Sequence, residues 1–432
     1  MRKTRAFTIA DISQFKKNAL QWAQQFDEVT WLDSNHHTAT YSSFDALLAV
    51  DGLTAFVTDA KNAFQDFKEY QKTTKDWLFG YLSYDLKNDV EQLSSSNLDP
   101  LHFPELYFYQ PKKIIKIVGN RAEFIYLNMV EDAIDEDFNA ITSLQETEVK
   151  KEVSKNIKIK MRIFKEEYFK NVSAMLHRIK RGDIYEANFC QEFYAENTTI
   201  APLKVFRKLN TISDAPFATY LKIRDKYVLS ASPERYLKKV ANTIISQPIK
   251  GTAKRSKNPK EDQRLKEQLS LDVKERAENI MIVDLVRNDL SKSATKGSVQ
   301  VEELCKVYSF KQVHQMISTI TAKVPKQKNV VDILQETFPM GSMTGAPKVS
   351  AMEIIEELES FKRGVYSGAV GYITPEQDFD FNVVIRSIVY NATEQYISYA
   401  VGSAITAKAI PEKEYEECLI KAKAMRQVLE ST

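Results

Sequence analysis

The chain has 432 residues, 43% apolar and 27% charged, with 60 cations against 58 anions. That length asks for a large single unit or two closely packed lobes, and the balanced charge argues against a nucleic-acid or acidic-membrane partner. Three scattered cysteines (Cys190, Cys305, Cys418) form no CxxC, the opening "MRKTRAFTIADISQF" has no apolar signal core, and no apolar run reaches the ~18 residues that span a bilayer, so a reducing cytoplasm is expected.

Residues 1–145 mix short aromatic-rich strands with helices. "VTWLDS" (29–34) and "WLFGYLSYDL" (77–86) read as buried strands or strand–helix junctions. "ELYFYQPKKIIKIVGNRAEFIYLN" (105–128) alternates and turns at "GN", which predicts a hairpin. Residues 132–157 are charged and poor in apolar positions, and their second half predicts a connector. The boundaries expected are an N-terminal region over 1–150 and a second region over 160–430, packed as one two-lobed unit.

After 161 a helix is predicted, with Tyr168, Val172, Met175, Leu176 and Ile179 on one face and Gly182 at its end. Strands follow at "IYEANFCQEFYA", "FATYLKI" (217–223) and "KYVLSASPERYLKKV" (226–240). "NTIISQPIKGT" reads as a strand running into a turn, and residues 259–290 as helical. A helix from 347, strands around 366–374, 380–390 and 396–402, and a helix from about 412 complete the chain. No βαβ period emerges, so the class is α+β.

Four features could carry chemistry. Lys250 sits in the polar, turn-like "SQPIKGTAKR". Near its ordinary pKa of about 10.4 a lysine is neither nucleophile nor base, so burial or nearby cations such as Lys254 and Arg255 would have to lower it. By spacing alone, a solvated turn lysine is the stronger reading. Glu275 and Glu278, and Glu414 and Glu417, are pairs three apart on two helices. Taken singly, each pair reads as a solvated helix face. Meeting, they would need a cation between them, and oxygen-only donors suit Mg²⁺. "PMGSMTGAPKVSAMEIIEELESF" is a glycine-rich loop entering a helix with Pro347 in its first turn, whose free N–H groups favour a carboxylate. It is not a Walker A loop. Arg386, in the otherwise apolar strand "DFDFNVVIRSIVY", asks for a carboxylate, internal or on a ligand. His314 reads more simply as a satisfied core histidine.

In order, "GDIYEANF", "SASPERYL", "PIKGT", "ENIMIVDLVRNDL", "VHQMISTI", "MTGAPK", "RGVYSGAVGY", "VVIRS" and "EYEEC" resemble the chorismate-utilising enzymes: anthranilate, aminodeoxychorismate, isochorismate and salicylate synthases. They spread over residues 182–418. "WLFGYLSYDLKNDVE" resembles the family's N-terminal region, of anthranilate synthase component I type, and "WLDS" its effector-pocket strand. The resemblance implies two stacked antiparallel sheets flanked by helices, with chorismate and Mg²⁺ in a cleft. It implies Glu278 and Glu417 as metal ligands, Glu275 and Glu414 holding metal waters, and Arg386 with Tyr366 on the enolpyruvyl carboxylate. Lys421 and the backbone around Thr344 and Gly345 fall near the ring carboxylate, with Gly251 and Gly402 as further substrate-side positions. Glu234 matches the general acid for the departing 4-hydroxyl, and His314 and Arg287 match residues near the ring.

Within the family, lysine in "PIKGT" resembles the aminodeoxychorismate synthases, where it attacks ring C2, while anthranilate synthases carry a small residue there. The implied product is 4-amino-4-deoxychorismate, for 4-aminobenzoate and folate synthesis. Glu186 stands where isochorismate and salicylate synthases have a water-activating lysine and amino-transferring enzymes usually have glutamine. It argues against water addition. No amidotransferase nucleophile elbow is seen, so the resemblance implies a separate glutaminase subunit as the ammonia source. The alternatives are anthranilate synthase component I and a non-catalytic subunit that binds chorismate or tryptophan.

Overall fold

A computed structural model of the chain describes residues 1–35, 37, 41–144, 157–310 and 313–431. The expected connector, the second half of 132–157, lies at 145–156 outside the described residues. The first half of 132–157 forms the helix Ile134–Ser143.

The aromatic stretches become buried strands, Glu28–Asp33 and Leu78–Leu82. The predicted hairpin pairs Leu106–Val118 with Arg121–Leu127, and its turn uses Gly119 at φ 58°, a left-handed conformation that glycine adopts without strain. The helix Lys165–Arg181 buries Tyr168, Val172, Met175 and Ile179, with Leu176 half-buried, and Gly182 at φ 93° closes it.

Several spans are more broken than the sequence suggested. Residues 226–240 form two strands, Lys226–Ser232 and Arg235–Val240, because Pro233 has no N–H to continue a ladder. Residues 259–290 form two helices, Pro259–Leu271 and Val273–Ser293, divided where Asp272 caps the second by accepting from Glu275 N at 2.9 Å. Residues 380–390 split into Phe379–Val383 and Ser387–Asn391. A hairpin that the periodicity did not reveal, Gln300–Ser309 with Val313–Lys323, follows the second helix.

Every ladder between the named strands of the described residues is antiparallel, and two branches diverge from the long strand Leu106–Val118. One runs through Ala46–Thr58, Glu28–Asp33, Phe217–Ile223, Lys226–Ser232, Ser387–Asn391 and Tyr396–Thr406 to Glu186–Ala195. The other runs through Leu78–Leu82, Ala369–Ile373, Phe379–Val383, Arg235–Val240 and Thr243–Gln247 to Val313–Lys323, which also pairs with Ile249–Lys254. Leu47 and Leu221 of the first branch and Tyr109 of the shared strand form one core with Phe79, Val370 and Tyr372 of the second branch, so the sheets stack. The helices Lys165–Arg181, Pro202–Ser213 and Pro411–Glu430 cover one outer face. Ala63–Thr74, Val273–Ser293 and Val330–Thr337 cover the other. This is the expected α+β fold of two stacked antiparallel sheets flanked by helices. Cys190, Cys305 and Cys418 are buried and form no disulfide. Among the described residues no helix is long and apolar enough to cross a membrane.

Candidate active site

A cavity of about 420 Å³ opens where the far strands of both branches meet the helices Val273–Ser293 and Pro411–Glu430. That volume is in the range of small-ligand sites. Lys250, Gly251, Glu234, Glu275, Glu278, Tyr366, Arg386, Gly402, Glu414, Glu417 and Lys421, named from sequence, all line it.

Lys250 is not in a turn. Pro248 interrupts the chain between two strands, and Lys250 lies on the second, Ile249–Lys254. The register against Val313–Lys323 slips between Ile249 and Thr252, so Lys250 and Gly251 bulge out of the ladder. Gly251 is at φ 95°, and a Cβ there would sit 3.2 Å from the Glu275 carboxylate. The bulge places the Lys250 amine in the cavity wall, 3.1 Å from Glu186 Oε1. Burial pulls this amine's pKa down, but Glu186, Glu278 and Glu234 outweigh it and the pKa is raised. The expectation that Lys254 and Arg255 would lower it is overturned: Arg255 is engaged by Asp262 at 2.9 Å, and the nearest charges are anions. Lys250 therefore rests as an ammonium beside a buried carboxylate whose second oxygen, Oε2, has no hydrogen-bond partner among the described residues.

Glu234 follows the Ser232–Pro233 break. Burial pushes its carboxyl up to about 7, opposed by a hydrogen bond from Ser342 and the charge of Lys250. A carboxyl so tuned still carries a proton near neutrality, as a general acid must.

The four helix glutamates face the same space. Burial pushes Glu278 up to about 7 against Lys250 and Lys274, and its Oε1 has no hydrogen bond, only Lys274 Nζ at 3.6 Å. Burial raises Glu417 as well, but Lys421, 2.5 Å away, outweighs it and the carboxyl stays below its usual value. Glu414 accepts from Ser403 Oγ. Oxygen-only donors with one orphaned carboxylate oxygen fit Mg²⁺. Among the described residues no three acidic side chains are grouped closely enough to hold an ion by themselves. The fit is therefore to a cation that takes few carboxylates and fills its shell with water and ligand oxygens.

Arg386 lies between strands rather than within one, at φ 53°. A left-handed backbone costs a non-glycine residue about 1–2 kcal/mol, and here it accompanies a side chain that lines the cavity. Among the described residues its guanidinium makes no ion pair or side-chain hydrogen bond; burial lowers its pKa, opposed by the nearby Tyr366 and Glu417.

Other expected positions sit outside the lining. Gly345 pairs with Ala187, and a Cβ there would fall 2.1 Å from Glu186 O, so only glycine permits this approach. Thr344 is buried, and its Oγ1 donates to Met340 O and Gly341 O at 3.3 Å. His314 and Arg287 are not brought to the cavity. Strand alternation turns Val313 and Gln315 inward, while His314 lies 3.1 Å from Asp262 Oδ1 and 2.9 Å from Ser309 Oγ. Arg287 is exposed and donates to Asp284 Oδ1 at 2.8 Å. Gln315 and Asn188 are lining residues that the sequence reading missed; period-two alternation from Val313 and from Glu186 is the signal that finds them.

The sequence profile of the family described as "chorismate binding enzyme" matches residues 18–427. A probable aminodeoxychorismate synthase, chloroplastic, of Oryza sativa subsp. japonica is 34% identical over 420 residues, 88% of this chain and 46% of that protein. The chain thus spans about half the length of that relative. Anthranilate synthase component 1 of Aquifex aeolicus is 32% identical over 369 residues, 82% of this chain and 74% of that one. Among solved structures, anthranilate synthase component I from Streptococcus pneumoniae TIGR4 matches with a TM-score of 0.79 at 24% identity, covering 90% of this chain and 94% of that one. This last likeness bears on the fold.

Proposed function

The chain belongs to the chorismate binding enzyme family, and from that premise we propose that it aminates chorismate at C4, as the component I of an aminodeoxychorismate synthase. The observation that carries the reading is Lys250, a buried amine in the cavity wall beside Glu186. A covalent detour needs a nucleophile there; direct attack by ammonia at C2, giving anthranilate, needs none.

Chorismate presents two carboxylates and a poor leaving group, the 4-hydroxyl. Arg386 and Tyr366 take the enolpyruvyl carboxylate; Lys421 and the Gly341–Gly345 loop lie toward the ring carboxylate. Glu278 and Glu417 would hold Mg²⁺, with Glu275 and Glu414 on its waters, and the ion would supply charge neutralisation at the ring carboxylate. Lys250 first passes its surplus proton to Glu186. Its amine then bonds to C2, both conjugated ring double bonds shift, and the C4–O bond breaks as Glu234 gives its proton to the departing hydroxyl, which leaves as water. Ammonia adds at C4, both ring double bonds shift back, and the C2–N bond breaks to release the Lys250 amine. The proton shed by the new C4 amine returns to Glu234, so the balance is chorismate plus ammonia giving 4-amino-4-deoxychorismate plus water. A separate glutaminase subunit is the proposed ammonia source, and the product is proposed to feed 4-aminobenzoate and folate synthesis in the cytoplasm.

The test is incubation with chorismate, Mg²⁺ and an ammonium salt, with products read by mass. The expected product is 4-amino-4-deoxychorismate. Anthranilate with pyruvate and no 4-amino product would replace this reading with anthranilate synthase, whose similarity is equally close.

A further inference from the structure

Arg363 touches three residues of the cavity wall without lining the cavity. It is 3% exposed, and its partner Glu359 is 5% exposed. Arg363 Nε donates to Glu359 Oε2 at 2.8 Å and Nη2 to Glu359 Oε1 at 2.6 Å. The remaining donors reach two main-chain carbonyls, Met343 O at 2.7 Å from Nη1 and Asn188 O at 2.7 Å from Nη2. Its own carbonyl accepts from Tyr366 N at 3.1 Å, and Glu359 Oε1 accepts from Cys190 N at 2.8 Å. The guanidinium carbon lies 4.5 Å from the centroid of the Tyr84 ring. Met343, Asn188 and Tyr366 all line the cavity.

We propose that Arg363, oriented by Glu359, is a positioning residue that sets the carboxylate-binding wall of the cavity. The inference rests on the reading of the site as a chorismate site. A buried ion pair is a poor stability device, since apolar side chains of similar volume often do as well. What they cannot do is bond two carbonyls from separate segments. A carbonyl bonded from behind the wall points away from the cavity, so the wall does not present the Met343 and Asn188 oxygens to an anionic ligand. The same fork joins the Gly341–Gly345 loop to the strand Glu186–Ala195, where Asn188 N already donates to Thr344 O at 2.8 Å. Lysine keeps the charge but lacks the planar five-donor fork.

The experiment titrates the full chain and its Arg363→Lys variant with chorismate by calorimetry, in Mg²⁺ without ammonium, and follows thermal unfolding of both. The expected result is chorismate affinity about tenfold weaker in the folded variant, matched by a raised KM, with kcat per folded molecule within about threefold. A lost kcat at unchanged KM, or unchanged affinity, overturns the proposal, because a merely structural role changes the amount of folded enzyme and not its affinity. Should Arg363→Lys fail to fold, Glu359→Gln is read the same way. It keeps an acceptor for Cys190 N and loses the charge, and an affinity loss of about threefold is expected. Unchanged affinity there overturns the proposal too. Anthranilate as product would overturn the proposed function while leaving the affinity ratio standing, and a parent chain that binds no chorismate overturns both.

Discussion

Glu234 and Arg235 are chain neighbours that belong to two different regions. Glu234 lines the 420 Å³ cavity, while Arg235 lines a second cavity of about 40 Å³ with Asp33, Ser34, Ser43 and Asp380. In the small region, Arg235 in the lining, and Lys238 and Lys16, which reach the carboxylates Asp380 and Asp33, are all engaged. Arg235 Nε donates to Asp380 Oδ1 at 2.9 Å, Lys238 Nζ to Asp380 Oδ2 at 3.0 Å, and Lys16 Nζ to Asp33 Oδ1 at 3.0 Å. In the large region, among the described residues, Arg386 makes no ion pair and has only the charge of Glu417 nearby, Glu278 Oε1 has no hydrogen bond, and Lys250 is one amine among three carboxylates. Buried charge closed on itself ties strands together. Buried charge left open costs stability and is reserved for a ligand that completes it.

The largest effect that would break this comparison is at Lys250. Lys250→Ala is expected to lower the rate of 4-amination by roughly 10²–10⁴-fold, the range one positioned reacting side chain supplies. Parent-rate amination by that variant, measured by product mass, removes the covalent role and leaves Lys250 as an electrostatic neighbour only. The small region predicts the opposite signature. Asp380→Ala strands Arg235 and Lys238 without a carboxylate and is expected to destabilise the fold by about 3–5 kcal/mol in denaturant titration. Its KM for chorismate is expected to be unchanged, and a KM shift at full stability would erase the distinction between the regions.

Arg235 and Arg386 also show what the sequence could disclose. Both stand in apolar strand-like text, "PERYL" and "VIRS", and nothing local says which one closes on Asp380 and which stays open. Partner choice is a tertiary property: Arg235 meets Asp380 across 145 residues of chain. The fold class, the hairpin and the helix ended by Gly182 were legible because periodicity and turn residues are local. The ordered motifs located most of the cavity lining. Lys250 was misplaced in a turn because "QPIKGT" is polar and punctuated; the bulged strand forms only against Val313–Lys323, more than sixty residues later. The resemblance put His314 near the ring, whereas its residue type read as a satisfied core histidine, which is how it sits; a one-residue step along the strand exchanges it for Gln315 at the cavity. The groups that together raise the Lys250 pKa, Glu186, Glu278 and Glu234, come from three separate elements.

A smaller effect sharpens the open end of the comparison. Arg386→Lys keeps a cation but loses the two-pronged grip on a carboxylate. The loss expected is about 1.5–3 kcal/mol of chorismate binding, seen as a KM raised roughly 10- to 150-fold. Because Arg386 has no internal partner among the described residues, its melting temperature is expected to stay at or above the parent's. A drop in melting temperature with unchanged KM would show that Arg386 is structural after all, like Arg235.

The smallest effect is a pH limb, and it separates the two chain neighbours. Burial holds the Glu234 carboxyl near 7, so about half of it carries a proton at pH 7 and about a tenth at pH 8. As the acid that protonates the departing hydroxyl, it must be in that protonated form. The kcat/KM is therefore expected to fall above pH 7, approaching tenfold per unit, while well below pH 7 this group imposes no loss. The sign for stability follows from the same shift. The folded state holds this proton more tightly than the unfolded chain, whose carboxyl titrates near 4.5, so folding stability from this group falls as pH rises from 4.5 to 7. Glu234→Gln removes both trends together with most of the activity, whereas Asp380→Ala leaves the alkaline limb in place. A limb that persists in the residual activity of Glu234→Gln would assign the proton to another group and detach Glu234 from the chemistry.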